Sequence, residues 1–329
     1  MNSISFNRAD VILSAAKNKV IAVIGDVMLD RYFWGSVTRI SPEAPVPVID
    51  VEDESLHLGG AANVAQNLKS LGLEPLLCGV LGNDNSGKNF IEIANQLGIN
   101  PDGLFIDDGR PTTVKTRIIG NNQQIARIDR EVRHDISQEG LAHIINLLSK
   151  IDDLSGIIIE DYNKGTVTEK LIDSVISYAV SRNIPVYVDP KKANFFSFKG
   201  VTVFKPNRKE AQQALNLPLI NDEDVVNAGK KLLNLLECEN VLITLGAQGM
   251  MLFEKNGKIS SVMTNARHVS DVSGAGDTAI ATLAASISGG ASIGEASVMA
   301  NFASGIVCEK PGIVSIEVDE LIDCIRNNK

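Results

Sequence analysis

Cysteine is sparse and unpaired in this chain. Cys78, Cys238, Cys308 and Cys324 stand far apart with no C-x-x-C spacing, which excludes a recognisable zinc site or disulfide framework and leaves free thiols in a reducing compartment. Histidine is equally thin, and the scatter of His57, His134, His143 and His268 argues against a histidine metal cluster or a histidine-based triad. Cations are outnumbered, with 31 Lys and Arg against 40 Asp and Glu for a formal charge of −9. Nucleic acid rewards clustered Lys and Arg and is therefore not the expected partner; a small anionic substrate needs only a local positive pocket. No apolar run approaches the ~20 residues that cross a bilayer. The first residues carry Arg8, Asp10 and Lys17 among their apolar positions and read as an amphipathic helix, not a secretory leader. No membrane partner and a cytoplasmic location are expected. Finally, no G-x-G-x-x-G follows the first strand candidate, which runs into Asp26 and Asp30, so a dinucleotide-dependent oxidoreductase is excluded.

What is present is an alternation. The 329 residues, 44% hydrophobic and 22% charged, suffice for one large α/β domain or two modest ones. Short apolar, β-rich runs mark strands at 20–25, 76–81, 156–160, 185–189, 201–204 and 240–244. Helical patterns fall between and after them, at 61–71, 87–97, 138–148, 168–180, 222–236 and 294–307. Repeated βα units imply a mainly parallel sheet between two layers of helices, a three-layer α/β/α sandwich. Ligands of such sheets bind beyond the carboxyl ends of the strands, where Asp26, Asp161 and Asp189 fall. One such Asp is commonly a cap or turn residue; three favour a shared cleft.

Two stretches break the pattern. Residues 32–56 contain Trp34, Pro42, Pro45 and Pro47 with alternating apolar residues, and 112–130 alternate like a hairpin around Asn121 and Asn122. They predict a small β-sheet, interleaved with the large domain of residues 1–31, 57–111 and 131–329. Such a sheet would serve as a lid over the cleft and as a contact between two copies of the chain; ordinary surface hairpins are the alternative.

The most telling segment is DVSGAGDT, Asp271 to Thr278, just before an alanine-rich helical run. A Gly-rich helix start leaves unpaired N–H groups converging on one point, a socket for phosphate at Gly274, Ala275 and Gly276. Asp277 beside it would repel an anion unless it serves as general base for a hydroxyl attacking a phosphoryl group. A capped helix start with Asp in its first turn accounts for this segment alone equally well.

A second segment, GGAANVAQNL from Gly59 to Leu68, opens a helix with a glycine pair and puts Asn63 in its first turn. A third, KPNRKE from Lys205 to Glu210, follows a strand. In this order and on this architecture the chain resembles the ribokinase-type, or phosphofructokinase-B, carbohydrate kinases over essentially its whole length. The resemblance implies a ribokinase-like fold, ATP and Mg²⁺ as cofactors, and K⁺ as a further cation near Asp271 and Val272. It implies Asp277 as catalytic base with Gly274, Ala275 and Gly276 as anion hole. Asn207 and Glu210 would organise Mg²⁺ and its waters; read without the family, they form a helix N-cap box. Thr244, Gly246 and Gly249 would line the nucleotide, with adenine near 299–303.

Within the family, GDVMLDRYFWG, RISPEAPVPV, ARIDRE and EDYNKG are similar to kinases of D-glycero-β-D-manno-heptose 7-phosphate. That implies transfer to the anomeric C1 hydroxyl, giving heptose 1,7-bisphosphate for lipopolysaccharide-core heptose. Asp26, Asp30, Gly59, Gly60 and Asn63 would hold the sugar. Lys115, Arg117 and Arg127 on the lid, with Lys164 and then Asp189 and Lys191 at strand ends, are candidates for the sugar phosphate, although each cation singly is more often a solvated charge. No H-x-G-H nucleotidyl-transfer motif is present, so a kinase standing alone is expected, with a trimmed longer protein as the alternative. A kinase for another sugar or a nucleoside, and a non-catalytic sugar or nucleotide sensor, are the competing readings.

Overall fold

Strand-forming runs that are apolar at every position fit a sheet buried on both faces. In the computed structural model, which describes residues 4–263 and 270–327, this is how they are used; His268 lies outside the described residues. Among these, thirteen strands form two sheets. They are β1 (Val20–Gly25), β2 (Val27–Ile40), β3 (Pro47–Gly60), β4 (Glu74–Gly82), β5 (Leu104–Asp107), β6 (Val114–Gly120), β7 (Gln123–Arg130), β8 (Leu154–Glu160), β9 (Val186–Asp189), β10 (Val203–Phe204), β11 (Asn240–Thr244), β12 (Met250–Glu254) and β13 (Ile259–Val262). The large sheet has the order β13-β12-β11-β10-β9-β8-β1-β4-β5, with β12 and β13 antiparallel and the rest parallel.

Successive residues of a strand enter opposite cores. Ile21 and Val23 of β1 pack with helices Ala61–Ser70, Ala275–Ser288 and Ile293–Cys308, whereas Ala22 and Ile24 pack with helices Gln138–Ser149, Glu169–Arg182 and Asp222–Leu236. Leu242 likewise faces the first core and Val241 and Ile243 the second. The fold is thus a ribokinase-like three-layer arrangement with the expected mainly parallel sheet. The strands β5, β12 and β13 were not read from the sequence, being short or placed antiparallel at an edge.

The small sheet has the order β3-β2-β6-β7. Its β6–β7 turn sits on Asn121 and Asn122 at φ of 53° and 62°, the left-handed pair that a tight two-residue hairpin turn requires. Strands β2 and β3 reach inward to Val27 and Gly60, so Asp30, Gly59 and Gly60 belong to this sheet. Among the described residues no helix is long and apolar enough to cross a membrane.

Candidate active site

Residues at the carboxyl ends of β8, β9, β10 and β11 line one cleft with the start of helix Ala275–Ser288. Gly274 is the N-cap at φ 78°, and no side chain caps it; the Ala275 N–H donates to the Val272 carbonyl at 3.3 Å, and the other N–H groups of this turn are left without a capping side chain. Asp277 in that turn is 5% exposed. Its Oδ2 accepts from Asn63 Nδ2 at 2.7 Å and its Oδ1 from the Tyr162 hydroxyl at 2.8 Å. Asn63 comes from helix Ala61–Ser70, which starts after Gly60 at φ 62°. Asn67 holds it there, donating from Nδ2 to the Asn63 carbonyl at 2.8 Å and its Oδ1 at 3.3 Å. Asn67 Oδ1 in turn accepts from Thr278 Oγ1 and the Ile316 N–H, at 3.0 and 3.1 Å.

Behind Asp277 lies a knot of buried charge. Glu160, Asp189 and Asp277 present oxygens within 4.8 Å of one another. Lys205, 2% exposed, donates to Asp189 Oδ2 at 2.7 Å. Burial pushes Asp277 up to about 6; the donors Asn63 and Tyr162 and the Lys205 charge work against that rise, while Asp189 adds to it. Burial, then Asp189 and Asp277, push Glu160 well above the usual carboxylate range, and neither of its oxygens has a hydrogen-bond partner. Burial works to lower the Lys205 ammonium, but Asp189 and Glu160 outweigh it and hold it raised.

Toward the next strand, Asn207 caps helix Arg208–Leu215. Its Oδ1 accepts from the Glu210 N–H at 2.9 Å, and Glu210 Oε2 accepts from the Asn207 N–H at 2.8 Å. Glu210 Oε1 accepts from Lys191 Nζ at 2.6 Å. With both carboxylate oxygens engaged, Glu210 fits a hard divalent cation that keeps its water shell rather than one bound directly. Thr244 ends β11 beside Asn207, and Gly246 and Gly249 flank a tight turn at φ 61° and 86°. A cleft of about 530 Å³ runs from Tyr162 and Asp277 past Lys205 and Glu210 to Thr244. It adjoins a more apolar recess lined by Gly246, Gly249, Asn301 and Ser304. Within the 299–303 stretch, Asn301 reaches this recess while Met299, Ala300 and Ala303 are core.

The cations separate into two groups. Lys191 and Lys205 stand in the cleft with Asp189. Lys115, Arg117 and Arg127 stand on the small sheet and are already paired: Lys115 with Asp129 and Glu131 at 3.5 Å, Arg127 with Asp129 at 2.9 Å, and Arg117 with Asp30. Lys164 pairs with Glu131 at 2.6 Å. Arg117 also lies 5.1 Å over the Tyr32 ring, and Asp271 contributes to the field at both.

Asp26 departs from the expected sugar contact. It is 1% exposed, and its carboxylate accepts the N–H groups of Tyr162, Lys164 and Thr166 at 2.9, 2.9 and 3.0 Å. An Asp directly after a buried strand anchors the neighbouring loop here, because three convergent backbone donors leave it no reach into the cleft. Tyr162, Lys205 and Glu160 were not among the expected site residues. A Lys or Glu at the end of a wholly apolar strand was the available signal, since such a charge is buried only with a partner.

Known proteins resemble this chain in sequence and in fold. The model of the pfkB family carbohydrate kinases matches residues 18–319. The bifunctional protein HldE of Geobacter sulfurreducens is 40% identical over 301 residues, covering 91% of this chain and 61% of that protein. HldE of Helicobacter hepaticus is 40% identical over 312 residues, covering 94% and 64%. The chain therefore spans somewhat over three fifths of the length of these relatives. Among solved structures, phosphofructokinase-2 of Escherichia coli in complex with fructose-6-phosphate superposes with a TM-score of 0.77 at 16% identity, covering 94% of this chain and 98% of that one. Ribokinase of Arabidopsis thaliana complexed with ribose and ATP gives 0.75 at 19% identity, covering 94% and 99%. This chain belongs to the pfkB family of carbohydrate kinases.

Proposed function

We propose that this kinase transfers the γ-phosphoryl group of ATP to the anomeric C1 hydroxyl of D-glycero-β-D-manno-heptose 7-phosphate, giving heptose 1,7-bisphosphate for lipopolysaccharide-core heptose. The observation that carries a hydroxyl-to-phosphoryl reaction is Asp277. It is a buried carboxylate in the first turn of an uncapped helix, raised to about 6 and still ionised at neutral pH. Its Oδ1 takes the proton from the attacking hydroxyl. The N–H groups at Gly274 and Gly276, joined by that of Ala275 as it exchanges the Val272 carbonyl at 3.3 Å for the ligand, stabilise charge on the moving phosphoryl group together with the Lys205 and Lys191 ammoniums. Mg²⁺ would neutralise the phosphates, held through its waters by Glu210, which Asn207 fixes. Thr244, Gly246 and Gly249 take the nucleotide.

On the sugar side, Asn63, Gly59, Gly60 and Asp30 form the cradle. Arg117, Lys115 and Arg127 exchange carboxylate partners for the 7-phosphate as residues 32–56 and 112–130, the part of the small sheet beyond the Asp30 and Gly59 ends of β2 and β3, close as a lid and exclude water. Asp189 keeps the two cleft lysines charged. K⁺ fits near Asp271 and Val272, where Asp271 Oδ1 already accepts the Ser273 N–H at 2.9 Å. The sheet also exposes Ile40, Val51 and Ile128, and the β2–β3 connection exposes Val46, which supports pairing of two copies through it in a cytoplasmic enzyme. The heptose identity is supported by the length and unusual composition of the strings in β2 and β3 and by the HldE relatives.

The test is ADP release over a panel of acceptors: the heptose 7-phosphate, unphosphorylated heptose, fructose 6-phosphate, a pentose and a nucleoside. The heptose 7-phosphate is expected to give the highest kcat/KM. A clear preference for another acceptor overturns the substrate, and normal turnover in Asp277→Asn overturns the base.

A further inference from the structure

Tyr162 has no role in the scheme above, although it holds the oxygen of Asp277 on which that scheme depends. The two oxygens of Asp277 are not equivalent. Oδ2 belongs to Asn63, which is locked by Asn67 and through it by Thr278 and Ile316. Oδ1 carries the Tyr162 hydroxyl at 2.8 Å, and the phenol and Asp277 both line the open cleft. An acceptor hydroxyl that approaches Oδ1 along the lone pair facing the cleft takes the place of the phenol there. The backbone at Tyr162 is pinned by its N–H on Asp26, so the exchange falls on the side chain, whose ring lies 5.0 Å from Lys191 Nζ.

We propose that Tyr162 is a positioning and specificity residue whose hydroxyl occupies the acceptor-hydroxyl place on Asp277 until a sugar displaces it, keeping water from using the base. The proposal rests on the reading of Asp277 as base. Displacement exchanges one O–H donor for another on the same oxygen, so hydrogen bonding to the carboxylate is conserved. What differs is the cost of moving the ring. A sugar phosphate offsets that cost with its other hydroxyls and its phosphate, whereas a water molecule brings a single oxygen. In transfer, the sugar oxygen bonds to the γ-phosphorus, the bond from that phosphorus to the β-bridging oxygen breaks, ADP leaves, and the hydroxyl proton goes to Asp277. In hydrolysis a water oxygen does the same and yields inorganic phosphate. Tyr162 favours the first over the second.

The experiment uses the full chain with ATP and Mg²⁺. In Tyr162→Phe, phosphate release without sugar is expected to rise about tenfold, the scale of one hydrogen bond lost from the barrier. With sugar present, sugar phosphorylated per ADP released should drop below that of the unaltered enzyme, and the KM for the sugar should fall. A purely structural residue would not move that ratio. Tyr162→Leu, which also removes the hydroxyl, should show the same uncoupling and stands in if the first variant does not fold. Adding Asp277→Asn to either should return hydrolysis to background. Unchanged hydrolysis and coupling in the folded Tyr162 variants, with Asp277→Asn inactive, overturns the role of Tyr162 and leaves the base intact. Hydrolysis that persists in the double variant overturns it as well, because water would then be activated elsewhere. Normal sugar transfer by Asp277→Asn alone overturns the base and the proposal together.

Discussion

Asn63 Nδ2 donates to Asp277 Oδ2 at 2.7 Å, tying the first turns of two helices together across 214 residues of sequence. The contact fixes which oxygen of Asp277 faces the cleft and opposes the rise that burial imposes on its pKa. Asn63→Ala frees the carboxylate to rotate. Misplacing a reacting group by about an ångström costs on the order of a hundredfold in rate, so kcat is expected to fall by about that factor with the nucleotide KM little changed. Steady-state kinetics beside a thermal melt separates this from unfolding, and an unchanged kcat would show that Asn63 does not orient the base.

Asp277 sets the pH dependence. With its pKa raised to about 6 in the folded enzyme, and with the base needed in ionised form, kcat/KM should rise with pH through about 6 and then level. The same shift has a stability consequence of fixed sign. The folded state binds this proton more tightly than the unfolded state, where the ordinary value is 3.8. The stabilisation is therefore fully present below 3.8 and is lost as pH rises through about 6. Asp277→Asn removes the ionisation penalty, which amounts to at most about 3 kcal/mol. The variant should melt above the unaltered enzyme at pH 8 by a larger margin than at pH 5, while turnover is lost. Equal margins at both pH values would mean that Asp277 titrates alike in the two states.

The legible parts of this protein were those written locally. Continuous apolar runs announced the parallel strands because both faces are buried, and the glycine pair before Asn63 and SGAGD before the alanine-rich helix announced two helix starts. What stayed illegible was pairing at a distance. Asp26 at a strand end looks the same in sequence whether it faces a ligand or gathers three N–H groups from residues 162–166. Arg117 and Lys115 read as free cations, yet their partners Asp30, Asp129 and Glu131 come from neighbouring strands or just beyond one, whereas Arg127 pairs locally with Asp129 two residues along its own strand. Tyr162 and Lys205 gained meaning only when the sheet order set β8, β9 and β10 side by side.

Lys205 is the cation that makes this acidic cluster tolerable. Lys205→Met leaves Asp189 buried beside Glu160 and Asp277 without its 2.7 Å partner. Removing one member of a buried ion pair typically costs about 3–5 kcal/mol, and a loss of that size is expected in urea denaturation. Adding Asp189→Asn should recover a large part of it, since the uncompensated charge goes with the carboxylate. If the double variant is as unstable as the single one, the loss comes from packing around the lysine stem.

Two alanine substitutions in one turn should separate stability from turnover. At Gly274 the backbone has φ 78°, and a Cβ would lie 2.8 Å from Asn63 Nδ2. Left-handed backbone alone costs a non-glycine residue about 1 kcal/mol or more, and the clash pushes on the amide that holds Asp277. Gly274→Ala should therefore lose both stability and activity. At Gly276 the nearest atoms to a Cβ are Asp189 Oδ2 at 3.5 Å and Lys205 Nζ at 3.6 Å, ordinary contact distances. Ala there lies in a helix first turn with no strain to relieve, so the melting temperature should hold or rise slightly. Its methyl group nevertheless stands in the cleft between the first-turn N–H groups and the Lys205 ammonium, where a transferring phosphoryl group has to sit. Gly276→Ala should fold normally and lose most turnover, and a variant with normal kinetics would place phosphoryl transfer away from this turn.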